Sequence, residues 1–290
     1  MARSGDATAS ARSGTGLTTS LFHCSDLHFG HPAVPEQYEA IEAIIAERDY
    51  DVVAISGDLS QRARSGEFQR ARAFIQHAQR HSEVIVVPGN HDVMWWKAPL
   101  GFGNPLAMLA NYRRFISEDT EPVLRIAGAT FVGLNTSQGV TRRTLTWNLR
   151  DLSIIGDLRR DQIERARAEF ERSRGDDARI VVMHHNPVMG ELSRRHGLKR
   201  TQRILGAFAE MSVDLVLCGH DHQEAVHYIE HTKKGTVIST SGTISNRARG
   251  GRPSSVNSIS ITSDTIEVST LVWSSDERGF VPGPSKCFTR

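Results

Sequence analysis

Short apolar runs alternate with longer amphipathic stretches along most of the chain, and this rhythm predicts a fold before any chemistry is considered. "LFHCS" (21–25), "DVVAIS" (51–56), "EVIVVP" (83–88), "ARIVVM" (178–183) and "DLVLC" (214–218) read as strands, the last four as near-continuous Val, Ile and Leu runs. Between and after them the apolar spacing predicts helices over 35–48, 67–79, 104–115, 157–172 and 201–210. Strand and helix in alternation predict an α/β layered fold with parallel strands. "VLRIA" (123–127) and "TFVGL" (130–134) look antiparallel. From Glu224 onward the pattern turns to β, with "EAVHYIE", "GTVIST", "SVNSISIT" and "TIEVSTLVW" predicting a second sheet packed on the first. No internal repeat or long linker interrupts the pattern. One domain over 20–275 is expected, with a disordered lead-in at 1–19 and a tail at 276–290.

The polar residues fall where the apolar runs end. "HCSDLHFGH" (23–31) places Asp26 and His28 at the tip of a buried strand, where an uncompensated carboxylate or imidazole costs free energy. The same arrangement recurs at Gly57-Asp58, at Gly89-Asn90-His91-Asp92, at His184-His185 and at Gly219-His220-Asp221-His222. In open α/β sheets, groups just beyond the carboxyl ends of the strands converge on one crevice. Five tips far apart in sequence are therefore expected to form one site. Gly57, Gly89 and Gly219 each precede a candidate ligand, where the missing Cβ allows a tight turn and close backbone approach.

These donors are carboxylates, imidazoles and one amide, with no thiolate, a set that suits Mn, Fe, Zn or a similar divalent ion. They are more than one tetrahedral ion can use, so two ions sharing a carboxylate, with Asp58 as the bridge, is the economical reading. Two such ions about 3.5–4 Å apart polarise a phosphoryl oxygen, lower the pKa of a bridging water and steady the leaving oxygen. The expected chemistry is phosphoester hydrolysis.

Composition narrows the rest. In 290 residues, 35 Lys+Arg against 33 Asp+Glu leave a formal charge of +2, a balance that argues against nucleic acid or an anionic membrane as the main partner. Cys24, Cys218 and Cys287 are widely spaced and form no CxxC pair, so neither a disulfide framework nor a thiolate zinc site is expected. Nothing in residues 1–20 resembles a secretory signal, and no run approaches the roughly 20 apolar residues that span a bilayer. A cytoplasmic protein with a small-molecule substrate is expected. Oligomeric state is left open.

Taken in order, D-x-H, GD, GNHD, H and GHxH resemble the calcineurin-like metallophosphoesterase superfamily, and the likeness runs from Asp26 to His222. The resemblance implies a four-layer α/β/β/α sandwich of two mixed sheets flanked by helices. Matched by position, Asp26, His28, Asp58 and His222 would hold one ion, and Asp58, Asn90, His184 and His220 the other. His91 would face the scissile phosphate and stabilise its charge or protonate the leaving oxygen, with Asp92 orienting the imidazole. The residues themselves leave His184 and His185 as alternatives; the resemblance selects His184, although "HHNP" carries one residue more before Pro187 than the family pattern. His23 should alternate away from the Asp26 face, and His31 should lie in a loop.

The leading expectation is a phosphodiesterase acting on a small substrate, which resembles bacterial members that open cyclic nucleotides or cleave glycerophosphodiesters and nucleotide-linked diphosphates. A DNA nuclease of the recombination-repair branch would want a strong basic stripe. A non-catalytic scaffold like the retromer subunit would have lost the phosphate-side histidine, which is present as His91. Selectivity is sought in three loops, 93–103, 191–200 and 246–253, whose tryptophans and basic residues could equally pin a loop or form a solvated face.

Overall fold

The computed structural model of the chain describes residues 17–94, 97, 105–138, 155–191, 197–232 and 234–290. Strands β1 (Thr19–Cys24), β2 (Val52–Ile55) and β3 (Glu83–Val86) are parallel and are connected through α1 (Pro35–Glu47) and α2 (Ser65–Ala78). After α3 (Pro105–Met108) and α4 (Ala110–Phe115), the antiparallel pair β4 (Val123–Ile126) and β5 (Ala129–Leu134) begins a second sheet. That sheet continues in parallel through β6 (Ala178–His185) and β7 (Leu215–Gly219), with α5 (Arg160–Glu171) and α6 (Thr201–Glu210) intervening. β8 (Ala225–Ile229) and β9 (Thr236–Thr240) form a hairpin, and β10 (Ser255–Ile261), β11 (Thr265–Ser274) and β12 (Gly279–Thr289) form an antiparallel meander. The sheet orders are β12-β11-β10-β1-β2-β3 and β4-β5-β6-β7-β9-β8.

Alternation along each strand sorts its side chains into layers. Leu21, Val52, Ala54 and Ile85 of the first sheet meet Phe131, Ile180, Val182 and Leu217 of the second. Their neighbours Phe22, Val53 and Ile55 turn outward onto Ile41, Ile45, Phe68 and Phe74 of α1 and α2. On the far side, Val181, Met183 and Val216 pack on Ile163, Phe170, Ile204 and Phe208 of α5 and α6. The chain thus forms the four-layer α/β/β/α sandwich, with both faces of each parallel core covered, which is why those strands contain so few polar residues.

Helix boundaries agree with the periodicity to within a few residues. α1 starts at Pro35, whose fixed φ and missing N–H suit the first turn. Glu67 draws α2 back to Ser65, because its Oε2 accepts the backbone N–H groups of Arg62 and Arg64 at 2.8 and 3.2 Å. Asn104, residues 1–16, most of the 93–103 loop and residues 192–196 lie outside the described residues.

The C-terminal strands depart from expectation. They do not make a sheet of their own: β8 and β9 extend the second sheet beside β7, and β10 to β12 extend the first beside β1. Period reveals a strand but not its partner. The segment expected as a tail after residue 275 contains β12, paired along β11 from Ser274↔Gly279 to Thr265↔Thr289. Pro282 and Pro284 disguise it, since proline in a strand is tolerated where the strand lies at a sheet edge, as β12 does. Cys24 and Cys218 are buried, and Cys287 is exposed on β12. No described helix is long and apolar enough to cross a membrane.

Arg290 ties this edge to the opposite sheet. Its Nε donates to the buried Asp214 at 3.1 Å, and its Nη atoms reach the carbonyls of Thr262 (3.2 Å) and Asp176 (2.7 Å). Arg290→Ala is expected to lower unfolding free energy by about 1–3 kcal/mol, the worth of hydrogen bonds to a buried charge. An unchanged denaturation midpoint would show that Lys234, the other cation on Asp214, suffices.

Candidate metal centre

The strand tips do converge, and the backbone holds them together. Asp26 N–H donates to Gly57 O at 3.0 Å and His28 N–H to Asp58 O at 2.9 Å, which joins the first two tips. Each carboxylate then spends one oxygen on another tip: Asp26 Oδ2 accepts from His220 N–H at 2.9 Å, and Asp58 Oδ1 from His91 N–H at 2.8 Å. This close approach needs the glycines. A Cβ on Gly89 would lie 2.2 Å from Asp58 N and Oδ1, and one on Gly219 would lie 1.9 Å from Ser25 Oγ. Asp26, His28, Asp58, His220 and His222 all adopt left-handed backbone, with φ between 47° and 74°. Asp and His are among the residue types that tolerate this conformation best.

The other carboxylate oxygens face imidazoles. Asp26, His28, Asp58 and His222, all buried, each bring one ligand atom within 4.8 Å of the others. His222 Nε2 is 3.2 Å from Asp26 Oδ1 and 3.0 Å from His28 Nε2, and His28 Nε2 is 3.6 Å from Asp58 Oδ2. Beside them lies a second set, in which Asn90 Oδ1 is 3.1 Å from His184 Nε2 and 3.0 Å from His220 Nδ1. Asp58 Oδ2 lies 3.4 Å from His184 Nε2, so this one oxygen sits between the sets. The structure therefore brings together all seven residues named as ligands from the sequence. His184 faces Asp58, whereas His185 accepts or donates to Thr136 Oγ1 at 2.7 Å and joins His184 and His220 in a further group of three. His23 is buried behind the site on Ser56 Oγ (2.9 Å), and His31 is exposed.

Tautomers give the cluster its chemistry. A carbonyl can only accept, so the contacts of His184 Nδ1 with Ser56 O (2.8 Å) and of His222 Nδ1 with Arg247 O (3.2 Å) put the proton on Nδ1 in both rings. Each Nε2 then presents a lone pair to oxygen acceptors: Asn90 and Asp58 for His184, Asp26 for His222. Lone pairs facing one another at 3.1–3.4 Å call for a cation between them. At His184 a proton can take that place. Burial pulls His184 down, but the Asp58 and Asp26 carboxylates outweigh it and raise the ring to about 9. Burial likewise pushes both carboxyls up, yet imidazole charge, from His184 at Asp58 and His222 at Asp26, holds them well below the usual carboxylate range. Burial lowers His28 to about 4 and, with His184, His220 to about 3, leaving these rings neutral donors. Cys218 is pushed up to about 12 by burial and supplies no thiolate. Oxygen and imidazole donors with no sulfur fit Mn, Fe or Zn.

His91 stands outside both sets. Its Nδ1 donates to Gln61 O at 2.8 Å and its Nε2 accepts from Arg247 Nη1 at 3.2 Å, while its ring meets that of His28 edge-on at 4.9 Å. The structure corrects the expectation that Asp92 orients His91. The turn Asn90–Asp92 points the Asp92 carboxylate inward, where it accepts from the N–H groups of Leu59, Ser60 and Gly89 at 3.1, 2.8 and 2.9 Å. Asp92 is thus a buried clamp between the 58–60 and 89–92 turns, and the Gln61 carbonyl sets His91. Burial first and the Asp58 charge second raise Asp92 to about 7.

Sequence reasoning missed Arg247 and Gln61, which face His91. Arg247 belongs to the basic loop already noted, and the signal that finds it is the strand-tip rule. "GTVIST" is another parallel strand, β9 beside β7, and its carboxyl end leads into that loop.

The calcineurin-like phosphoesterase profile matches residues 19–224, most of the chain and every strand tip above except that of β9. The chain belongs to this family. Among its relatives, a Synechococcus sp. protein named "probable cyclic nucleotide phosphodiesterase" is 25% identical over 224 residues, 72% of this chain and 76% of its own length. The purple acid phosphatase PPD1 of yellow lupin seeds shares the fold with a TM-score of 0.69 at 12% identity, covering 95% of this chain and 54% of its own. This calcineurin-like chain thus spans about half the length of the lupin enzyme. GAP50, the anchor in the inner membrane complex of Plasmodium, gives a TM-score of 0.53 at 14% identity, covering 88% and 84%.

Gly89→Ala tests the close approach. The added Cβ must drive the 89–92 turn off Asp58, so metal retained after dialysis is expected to fall while the far-UV spectrum of the fold is kept. Metal content equal to that of the unsubstituted chain would show that the tips can part without cost to the centre.

Proposed function

We propose that this calcineurin-like phosphoesterase uses two divalent ions, Mn, Fe or Zn, to hydrolyse a small phosphodiester: a cyclic nucleotide, a glycerophosphodiester or a nucleotide-linked diphosphate. The observation that carries this reading is Asp58 Oδ2, placed 3.6 Å from His28 Nε2 and 3.4 Å from His184 Nε2, between two donor sets. Asp26, His28, Asp58 and His222 would hold one ion, and Asp58, Asn90, His184 and His220 the other. When bound, the ions would supply Lewis acidity toward the phosphoryl oxygen and a more acidic water as nucleophile.

The chain's own groups do the rest. Ser56 O and Arg247 O hold the His184 and His222 rings so that Nε2 points inward. Gln61 O holds His91 by Nδ1–H, which leaves its Nε2 as the atom able to meet a phosphoryl or leaving oxygen. A diester is favoured over a monoester by the cyanobacterial relative's name; the plant phosphatase is alike in fold alone. With the seven donors gathered and His91 present, hydrolysis is the better reading than a scaffold. The near-zero net charge supports a small substrate over DNA.

Two substitutions separate the roles. Asp58→Asn removes the shared anion and should empty the centre, read by elemental analysis; full occupancy would remove Asp58 as the bridge. His91→Ala should keep the metals and lower turnover by roughly 10²- to 10⁴-fold, the usual contribution of a positioned proton donor. Substrate class is tested by adding Mn²⁺ to metal-stripped protein with cyclic nucleotides, glycerophosphodiesters, nucleotide sugars and phosphomonoesters in parallel. Cleavage of the monoesters alone would overturn the diesterase reading.

A further inference from the structure

Beyond β9 the chain is tied down on its way past the centre. Thr243 Oγ1 donates to Asp26 O at 2.7 Å, Asn246 N–H to Pro32 O at 2.8 Å, and Arg252 pairs with Glu224 at 3.2 Å. The loop between these anchors sends Arg247 in two directions. Its carbonyl accepts the His222 Nδ1 proton, while its side chain lies across the open side of the site, with Nη1 at 3.1 Å from Gln61 Oε1, 3.2 Å from His91 Nε2 and 3.4 Å from His28 Nδ1.

These contacts are a poor match for a guanidinium. All three fall on one nitrogen, two of them are to imidazoles, and among the described residues no carboxylate lies within ion-pair distance and neither Nε nor Nη2 has an acceptor. A His28 ring that gives Nε2 to a cation carries its proton on Nδ1, which turns the longest contact into donor against donor. A half-buried, always-charged group held this loosely has its planar fork available for an anion with two oxygens to offer. The anion must also reach His91 Nε2 and the donor sets, which Arg247 and His91 border together.

We propose that Arg247 is a phosphate-binding residue, whose guanidinium leaves His91 Nε2 and takes a non-bridging oxygen of the phosphoryl group that enters the centre. The proposal rests on the hydrolase reading for the identity of the anion. It makes Gln61 a positioning residue twice over, through its carbonyl on His91 and its side-chain oxygen on Arg247.

The test uses the full chain loaded with Mn²⁺, inorganic phosphate as probe, and Arg247→Ala and Arg247→Lys beside the unsubstituted protein. Manganese content is expected to be equal in all three, because the carbonyl that holds His222 belongs to the backbone. By calorimetry, phosphate affinity should fall roughly 10- to 100-fold in Arg247→Ala, the range for lost charge-assisted hydrogen bonds, and by less in Arg247→Lys. KM for bis(p-nitrophenyl) phosphate should rise in the same order. Unchanged phosphate affinity in Arg247→Ala, absence of phosphate binding by the unsubstituted protein, or loss of manganese from the variant would each overturn the assignment, the last by making Arg247 a support of the loop. Calorimetry needs no turnover, so Arg247-dependent phosphate binding without cleavage of any diester or monoester would sink the hydrolase reading alone.

Discussion

Two carboxylates, each anchored through one oxygen to the backbone of another strand tip and turned through the other toward imidazoles, hold the centre in shape. Asp26 joins the β1 tip to the β7 tip, and Asp58 joins β2 to β3, so the two sheets are linked at the point where ligand atoms are displayed. If Asp26 or Asp58 pointed elsewhere, His220 or His91 would lose a backbone anchor. The oxygens left over face lone pairs rather than hydrogens, since Ser56 O and Arg247 O have already fixed the protons of His184 and His222. A cluster so arranged is satisfied by an added cation, a proton or a metal ion, and neutral imidazoles alone do not complete it.

Left-handed backbone at five of the gathered donors costs roughly 1–2 kcal/mol for an ordinary residue, less for Asp and His. The sandwich holds it in place. Directly behind the tips, Cys24 and Ile55 lie in one buried layer and Val182 and Leu217 in the next, so a tip cannot relax without moving a strand packed on both faces. Strain of this kind marks sites where geometry is held for chemistry. It also explains the glycines at 89 and 219: a Cβ on Gly89 would stand 2.2 Å from the Asp58 backbone nitrogen, and one on Gly219 would stand 1.9 Å from Ser25 Oγ and 2.4 Å from Asp26 Oδ2.

What the sequence displays and what it hides follow from range. Strand runs, helix periods and the polar residues at the tips are local signals, so the layers and the gathering of the seven named residues in one place were legible. Pairing is not local: nothing in "GTVIST" or "SVNSISIT" says that one joins β7 and the other β1. β12 was hidden because its prolines read as loop, although an edge strand accommodates them. Side-chain direction is hidden as well. Asp92 follows His91 in the chain, but in the tight turn its carboxylate faces the 59–60 amides, and the group that does orient His91 is a main-chain carbonyl that no residue type could reveal.

Net charge and local field come apart in this molecule. The chain as a whole is almost neutral, yet under the proposed function two divalent ions would meet only two carboxylates, Asp26 and Asp58, with every other donor neutral. The centre would then carry about two positive charges in excess, and Arg247 stands at its open side with no carboxylate within ion-pair distance among the described residues. Field of that size acts over a Debye length of about 8 Å at physiological salt, a reach that matches the size of a small phosphoester. Under that function the positive charge that meets a compact anion would come from the bound ions and Arg247, and not from the chain's net charge of +2.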